Sequence, residues 1–111
     1  MFALTVRGVA ALVTIVAATM PAVVPTREVV ARHSGKCLDV NGGASATGDG
    51  VKIVQWTCNG GTNQQWRVNT DGTIVGVESG LCLDVIGQGT ANGVLIDIWT
   101  CNGGANQRWS R

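Results

Sequence analysis

Along much of the chain apolar and polar residues alternate with a period of two, the spacing of a strand that buries one face and wets the other. In "LCLDV" Leu81, Leu83 and Val85 share a face, and Cys82 and Asp84 take the other. In "VLIDIWTC" Val94, Ile96 and Ile98 point one way, while Leu95, Asp97, Trp99 and Cys101 point the other. An earlier stretch repeats the scheme, with Cys37 and Asp39 on one face and Val54, Trp56 and Cys58 on one face. Sixteen glycines against two prolines in 111 residues supply the positive φ that tight turns between short strands require. The pattern predicts an all-β domain.

The alternation fails at the start. "MFALTVRGVAALVTIVAATMPAVVPT" has one charge, Arg7, and is then uncharged until Arg27. A positive start, an apolar core around Gly8 to Ala18 and small residues at Val16, Ala18 and Ala22 have the order of a secretory signal peptide over residues 1–22. Cleavage after Ala18 or after Ala22 fits equally. An uncleaved anchor needs roughly 20 apolar residues, and the threonines, Pro21 and Pro25 count against it. A secreted, extracellular protein with no stable membrane insertion after signal removal is expected.

The remainder is a repeat. Ser34 to Val40, "SGKCLDV", lies over Ser79 to Val85, "SGLCLDV", and Cys58 to Trp66, "CNGGTNQQW", over Cys101 to Trp109, "CNGGANQRW". "EVVARHSG" from Glu28 aligns with "TIVGVESG" from Thr73, so repeat one spans 28–70 and repeat two 73–111. The turn signal Asp71-Gly72 separates them.

An even number of cysteines in a short exported chain favours disulfides. Four cysteines permit three connectivities, and the repeat selects Cys37 with Cys58 and Cys82 with Cys101. Each bridge closes a loop of about twenty residues and contributes roughly 3 kcal/mol by chain entropy. It also makes the cysteine-bearing faces meet, which sets Asp84 beside Trp99. No metal site is expected, since no cysteine pair has zinc spacing and His33 is the one histidine. Arg7 aside, seven basic and seven acidic residues are scattered, so no basic face for nucleic acid is visible. Trp66 and Trp109, each ending a polar segment, read as core.

"CLDV", a strand ending in Trp and Cys, and then Gln64-Gln65-Trp66 or Gln107-Arg108-Trp109 resemble the ricin B-type lectin repeat, also called the QxW repeat or carbohydrate-binding module family 13. The resemblance covers roughly Glu28 to Arg111. It implies a β-trefoil, of which this chain shows two of the usual three repeats, and binding of galactose-type sugars or xylan with no cofactor. By the family pattern Asp84, Asp97, Trp99, Asn106 and Gln107 form one carbohydrate site. Asp39, Trp56, Asn63 and Gln64 form a second, with Val54 where a polar residue is expected.

A sugar offers vicinal hydroxyls and an apolar C–H face. An ionised acceptor and a flat aromatic suit both, and charge-assisted hydrogen bonds are about twice as strong as neutral ones. The plainer readings are that Asp39 and Asp84 satisfy turn amides, that Trp56 and Trp99 cover the disulfides, and that Asp97 is solvated. With two repeats, unpaired strand edges invite a homo-oligomer that completes the trefoil, unless the chain is a truncated fragment. An accessory module of a secreted glycoside hydrolase is an alternative. A small glycosidase using Asp84 and Asp97 is a weaker one, because a shallow wet site has little to raise a carboxylate pKa.

Overall fold

The computed structural model describes residues 24–110, so the leader expected over residues 1–22 lies outside the described part. The strands are β1 (Thr26–Arg27), β2 (Cys37–Val40), β3 (Ile53–Trp56), β4 (Trp66–Val68), β5 (Ile74–Gly76), β6 (Cys82–Val85) and β7 (Ile96–Trp99). The helical segments among the described residues are single 3-10 turns at Gly43–Ser45, Thr62–Gln64, Ile86–Gln88 and Ala105–Gln107. The all-β expectation is met.

The two repeats are the same object built twice. Ala31 N donates to Lys36 O at 2.9 Å and Gly35 N to Ala31 O at 2.8 Å; Gly76 N donates to Leu81 O and Gly80 N to Gly76 O, both at 2.9 Å. Val30 bridges Cys37 as Val75 pairs with Cys82. β2 pairs with β3 and β6 with β7, both antiparallel and in matching register, with Cys37 opposite Trp56 and Cys82 opposite Trp99. The disulfides are Cys37–Cys58 and Cys82–Cys101, each with 5.1 Å between Cα atoms.

Asp71-Gly72 makes the expected turn. Gly72 sits at φ 92°, where a side chain is strained, and Asp71 Oδ1 accepts from Thr73 N at 2.9 Å and Thr73 Oγ1 at 2.7 Å. Those two bonds hold the Asp71 carboxyl below its ordinary pKa. The turn joins the repeats rather than merely separating them, because it closes the β4–β5 hairpin of a five-stranded antiparallel sheet ordered β1-β4-β5-β6-β7.

Val40, Trp66, Leu83 and Ile98 form the buried centre, with Val29, Leu38, Ile53, Ile74, Ile96 and Trp109 among the side chains packed around it. Trp66 has no accessible surface and donates Nε1 to Leu38 O at 3.1 Å. Trp109 donates to Leu83 O at 3.0 Å but is only half-buried, a partial departure from the core role expected of both. The difference has a local cause. Gly76 of β5 lies against the Trp66 ring, and a Cβ there would stand 3.5 Å from its Cζ3.

The alternation misleads in one respect. β6 is buried on both faces: Leu83 is buried, and so are Cys82 and Asp84. The polar face is covered by the 3-10 turn at Ala105–Gln107, which packs on β6 as the turn at Thr62–Gln64 packs on β2.

Candidate functional site

Each repeat carries one cleft, and each cleft is organised around a buried aspartate. Asp84 Oδ2 accepts from Gln107 Nε2 at 2.9 Å and from Asn106 Nδ2 at 3.1 Å. Asp39 Oδ2 accepts from Gln64 Nε2 at 2.8 Å and from Asn63 Nδ2 at 3.1 Å. In each repeat both amides converge on the same oxygen, Oδ2.

The amide residues are held in turn. Gln107 spends its second donor on Thr100 O at 3.0 Å and accepts Asn102 N at 2.9 Å; Gln64 does the same with Thr57 O at 3.0 Å and Asn59 N at 2.9 Å. Neither glutamine has accessible surface. Named above as candidate sugar contacts, Gln64 and Gln107 are placed instead behind the aspartates, where they orient the carboxylates. Their bonds are also why Asp39 and Asp84 survive burial, since a carboxylate out of water needs compensating donors. Asn63 and Asn106 add bonds to Val40 O at 3.2 Å and Val85 O at 3.0 Å, and both reach their clefts.

Tryptophans form the opposite walls. Trp56 is 59% exposed and Trp99 43%, so neither is a buried cover for its disulfide. Each lines the same cleft as its aspartate. The clefts measure about 200 Å³ in repeat one and about 380 Å³ in repeat two.

The remaining walls escaped the sequence reading. Asn41, Gly42, Gly43 and Asn59 line the first cleft; Ile86, Gly87, Gln88 and Asn102 line the second. Gly42, Gly43 and Gly87 lie at positive φ, and so does Gln88 at 59°, an uncommon place for a side chain. The one available signal was the repeated "CNGG", which makes Asn59 and Asn102 equivalent.

Asp97 separates the two sites. It stands directly across from Asp84 in the β6–β7 register, where repeat one has Val54 across from Asp39. The plainer reading of a solvated Asp97 does not hold: it lines the second cleft, only 3% of it is exposed, and among the described residues its Oδ1 has no hydrogen-bond partner. Burial, then a hydrogen bond and like charge from Asp84, push its pKa up to about 6, against weaker relief from Lys52. The premise that a shallow, wet site has little to raise a carboxylate pKa is therefore corrected at Asp97. The reason is that the polar face of the strand pair is dry.

Buried acceptor, flat exposed ring and flanking amides can bind a polyhydroxylated ring, with hydroxyls on the carboxylate and C–H bonds on the indole. Comparison with known proteins agrees. Residues 25–111 match the ricin-type β-trefoil lectin domain. A 50-residue stretch is 42% identical to ribosome-inactivating protein PMRIPt of Polygonatum multiflorum, covering 45% of this chain and 8% of that protein. Among solved structures, the designed 3-fold symmetric protein ThreeFoil is 44% identical with a TM-score of 0.70, over 76% of this chain and 61% of that one. The exo-β-1,3-galactanase 1,3Gal43A of Clostridium thermocellum is 33% identical with a TM-score of 0.69, over 81% of this chain and 20% of that one. The hemolytic lectin CEL-III is 31% identical with a TM-score of 0.65, over 78% of this chain and 18% of that one. In each case this chain spans less than two thirds of the relative. With its match to the lectin domain over 25–111 and its β-trefoil neighbours, the chain belongs to the ricin-type β-trefoil lectin family, a family of carbohydrate-binding domains.

Proposed function

We propose that the protein is a secreted lectin that binds galactose-type sugars or xylan through its two Asp/Trp clefts, the second being the stronger. The observation that carries this is the doubled site: the same acceptor, amide pair and exposed indole recur at Asp39/Trp56 and Asp84/Trp99. Kinship with a domain of a β-1,3-galactanase favours a galactose-type ligand. Two disulfides favour an oxidising, extracellular location. A single open cleft reaches about millimolar affinity, near −4 kcal/mol, and two clefts on one polysaccharide gain roughly 10²-fold. Retention on lactose-agarose or insoluble xylan tests the reading. A folded protein retained on neither sinks it.

The raised pKa of Asp97 favours one rival, a glycosidase using Asp84 and Asp97. Its geometry argues against it. The two residues are direct cross-strand neighbours, side by side on paired strands, instead of flanking a space for the scissile bond. Binding without release of reducing sugar is expected from both lactose and xylan. An accessory module that brings a hydrolase to its polymer is compatible with the lectin reading, because this chain matches only 20% of the galactanase.

A further inference from the structure

The second site is not built by the second repeat alone. Asp49, in the loop before β3 of repeat one, accepts from Thr100 N at 2.6 Å and from Thr100 Oγ1 at 2.9 Å. Thr100 follows Trp99 directly and precedes the disulfide-bonded Cys101. Its carbonyl is already fixed by Gln107, the residue that orients Asp84. The same loop continues as a short backbone pairing, with Gly50 N donating to Ile98 O at 2.8 Å and Ile98 N to Val51 O at 3.0 Å. At Gly50, held at φ +88°, a Cβ would lie 3.8 Å from Trp99 Cζ3, so the loop runs beside the indole.

Among the described residues repeat one has no equivalent clasp at its own site. Thr57, the counterpart of Thr100, has its carbonyl bonded to Gln64, but among the described residues no carboxylate accepts from it. The indoles differ accordingly: Trp56 is 59% exposed and Trp99 43%.

We propose that Asp49 is a positioning residue for the second site, a clasp from repeat one that fixes Thr100 and with it the Trp99 wall. The role rests on the carbohydrate reading for its consequence, not for its geometry. A wall ordered before the ligand arrives lowers the ordering cost of binding, so the clasp favours the second site over the first.

The test uses oxidised full chain labelled with 5-fluorotryptophan, whose four indoles give separate fluorine resonances. Trp99→Phe and Trp56→Phe assign the two that matter. In sugar-free protein Asp49→Ala should move or broaden the Trp99 resonance and leave those of Trp56 and Trp66 in place. Titration with lactose should show the second site weakened about three- to tenfold, as expected for loss of a partly exposed charge-assisted bond, with the first site unchanged. Asp49→Asn, which keeps an oxygen for Thr100 N, should restore most of both effects. Thr100→Val, which loses only the hydroxyl bond, should fall between. Melting curves check that each variant folds; if Asp49→Ala does not, the other two carry the comparison. An unchanged Trp99 resonance and unchanged second-site affinity overturn the proposal, as does an equal disturbance of Trp56. If lactose shifts no resonance in wild-type protein, the galactose reading fails, while the sugar-free Trp99 signal still decides whether the clasp exists.

Discussion

The two cleft aspartates are dried and oriented by the fold itself, which is what the proposed role of ligand acceptor requires. Asp39 and Asp84 are each at most 5% exposed and each takes two amide donors on Oδ2. Removing either should therefore cost its cleft the central contact. Asp84→Ala is expected to weaken lactose or xylan binding by tenfold or more, since a hydrogen bond to a charged group is worth about 1.5 to 3 kcal/mol. Asp39→Ala should cost mainly the avidity share, because Val54 gives its site one polar wall fewer. Titration of each variant against tryptophan fluorescence ranks the sites; a greater loss from Asp39→Ala reverses the ranking.

Asp97 yields a prediction with a definite sign. Its folded pKa, about 6, lies above the ordinary 3.8, so between those values the folded state binds more protons than the unfolded. Stability contributed by this group is present below about pH 4, falls as pH rises toward 6, and is then level. Asp97→Asn should flatten that slope and raise stability at pH 7 by on the order of 2 kcal/mol. Urea melts at pH 4, 5, 6 and 7 check it. A variant that is less stable at pH 7, or a wild type whose stability rises from pH 4 to 6, contradicts the assignment.

At the level of elements, the two QxW tryptophans should not behave alike. Trp66 lies under β5 and is fully buried, so Trp66→Ala is expected to cost about 3 to 5 kcal/mol and to unfold the domain. Trp109 is half-buried, and Trp109→Ala should cost visibly less by circular dichroism melts. Equal losses would mean that Trp109 is covered in solution. This asymmetry was not legible in the repeat, which makes the two residues equivalent; on the Trp66 side it comes from the Gly76 backbone packed on the ring. The strand pairs, the disulfides and the meeting of Asp with Trp were legible, because a period of two plus a cross-link fixes which faces meet. The burial of Asp97 and the holding role of Gln64 and Gln107 were not. A strand pattern says which residues share a face, but not that a turn twenty residues later will cover that face.

For the whole molecule, the repeats share one core, the β2–β3 pair of repeat one standing as a separate two-stranded sheet, and an apolar cleft of about 550 Å³ is bounded by residues of both repeats including Leu38, Ile53, Leu83, Leu95 and Trp109. Leu95 is 61% exposed there. Exposed apolar surface of this kind favours association, and self-association of the oxidised chain is expected in sedimentation, with Leu95→Glu shifting it toward monomer. A wild-type monomer at all concentrations would show that the cleft is tolerated open. The central claim, however, is that this molecule binds carbohydrate through the Asp84/Trp99 cleft. The most direct measurement is retention of folded wild-type protein and of Asp84→Ala, side by side, on lactose-agarose and on insoluble xylan. The account predicts that wild type is retained on at least one matrix and released by free sugar, while Asp84→Ala, equally folded, largely passes through. Wild type retained on neither, or Asp84→Ala held as firmly as wild type, would contradict it.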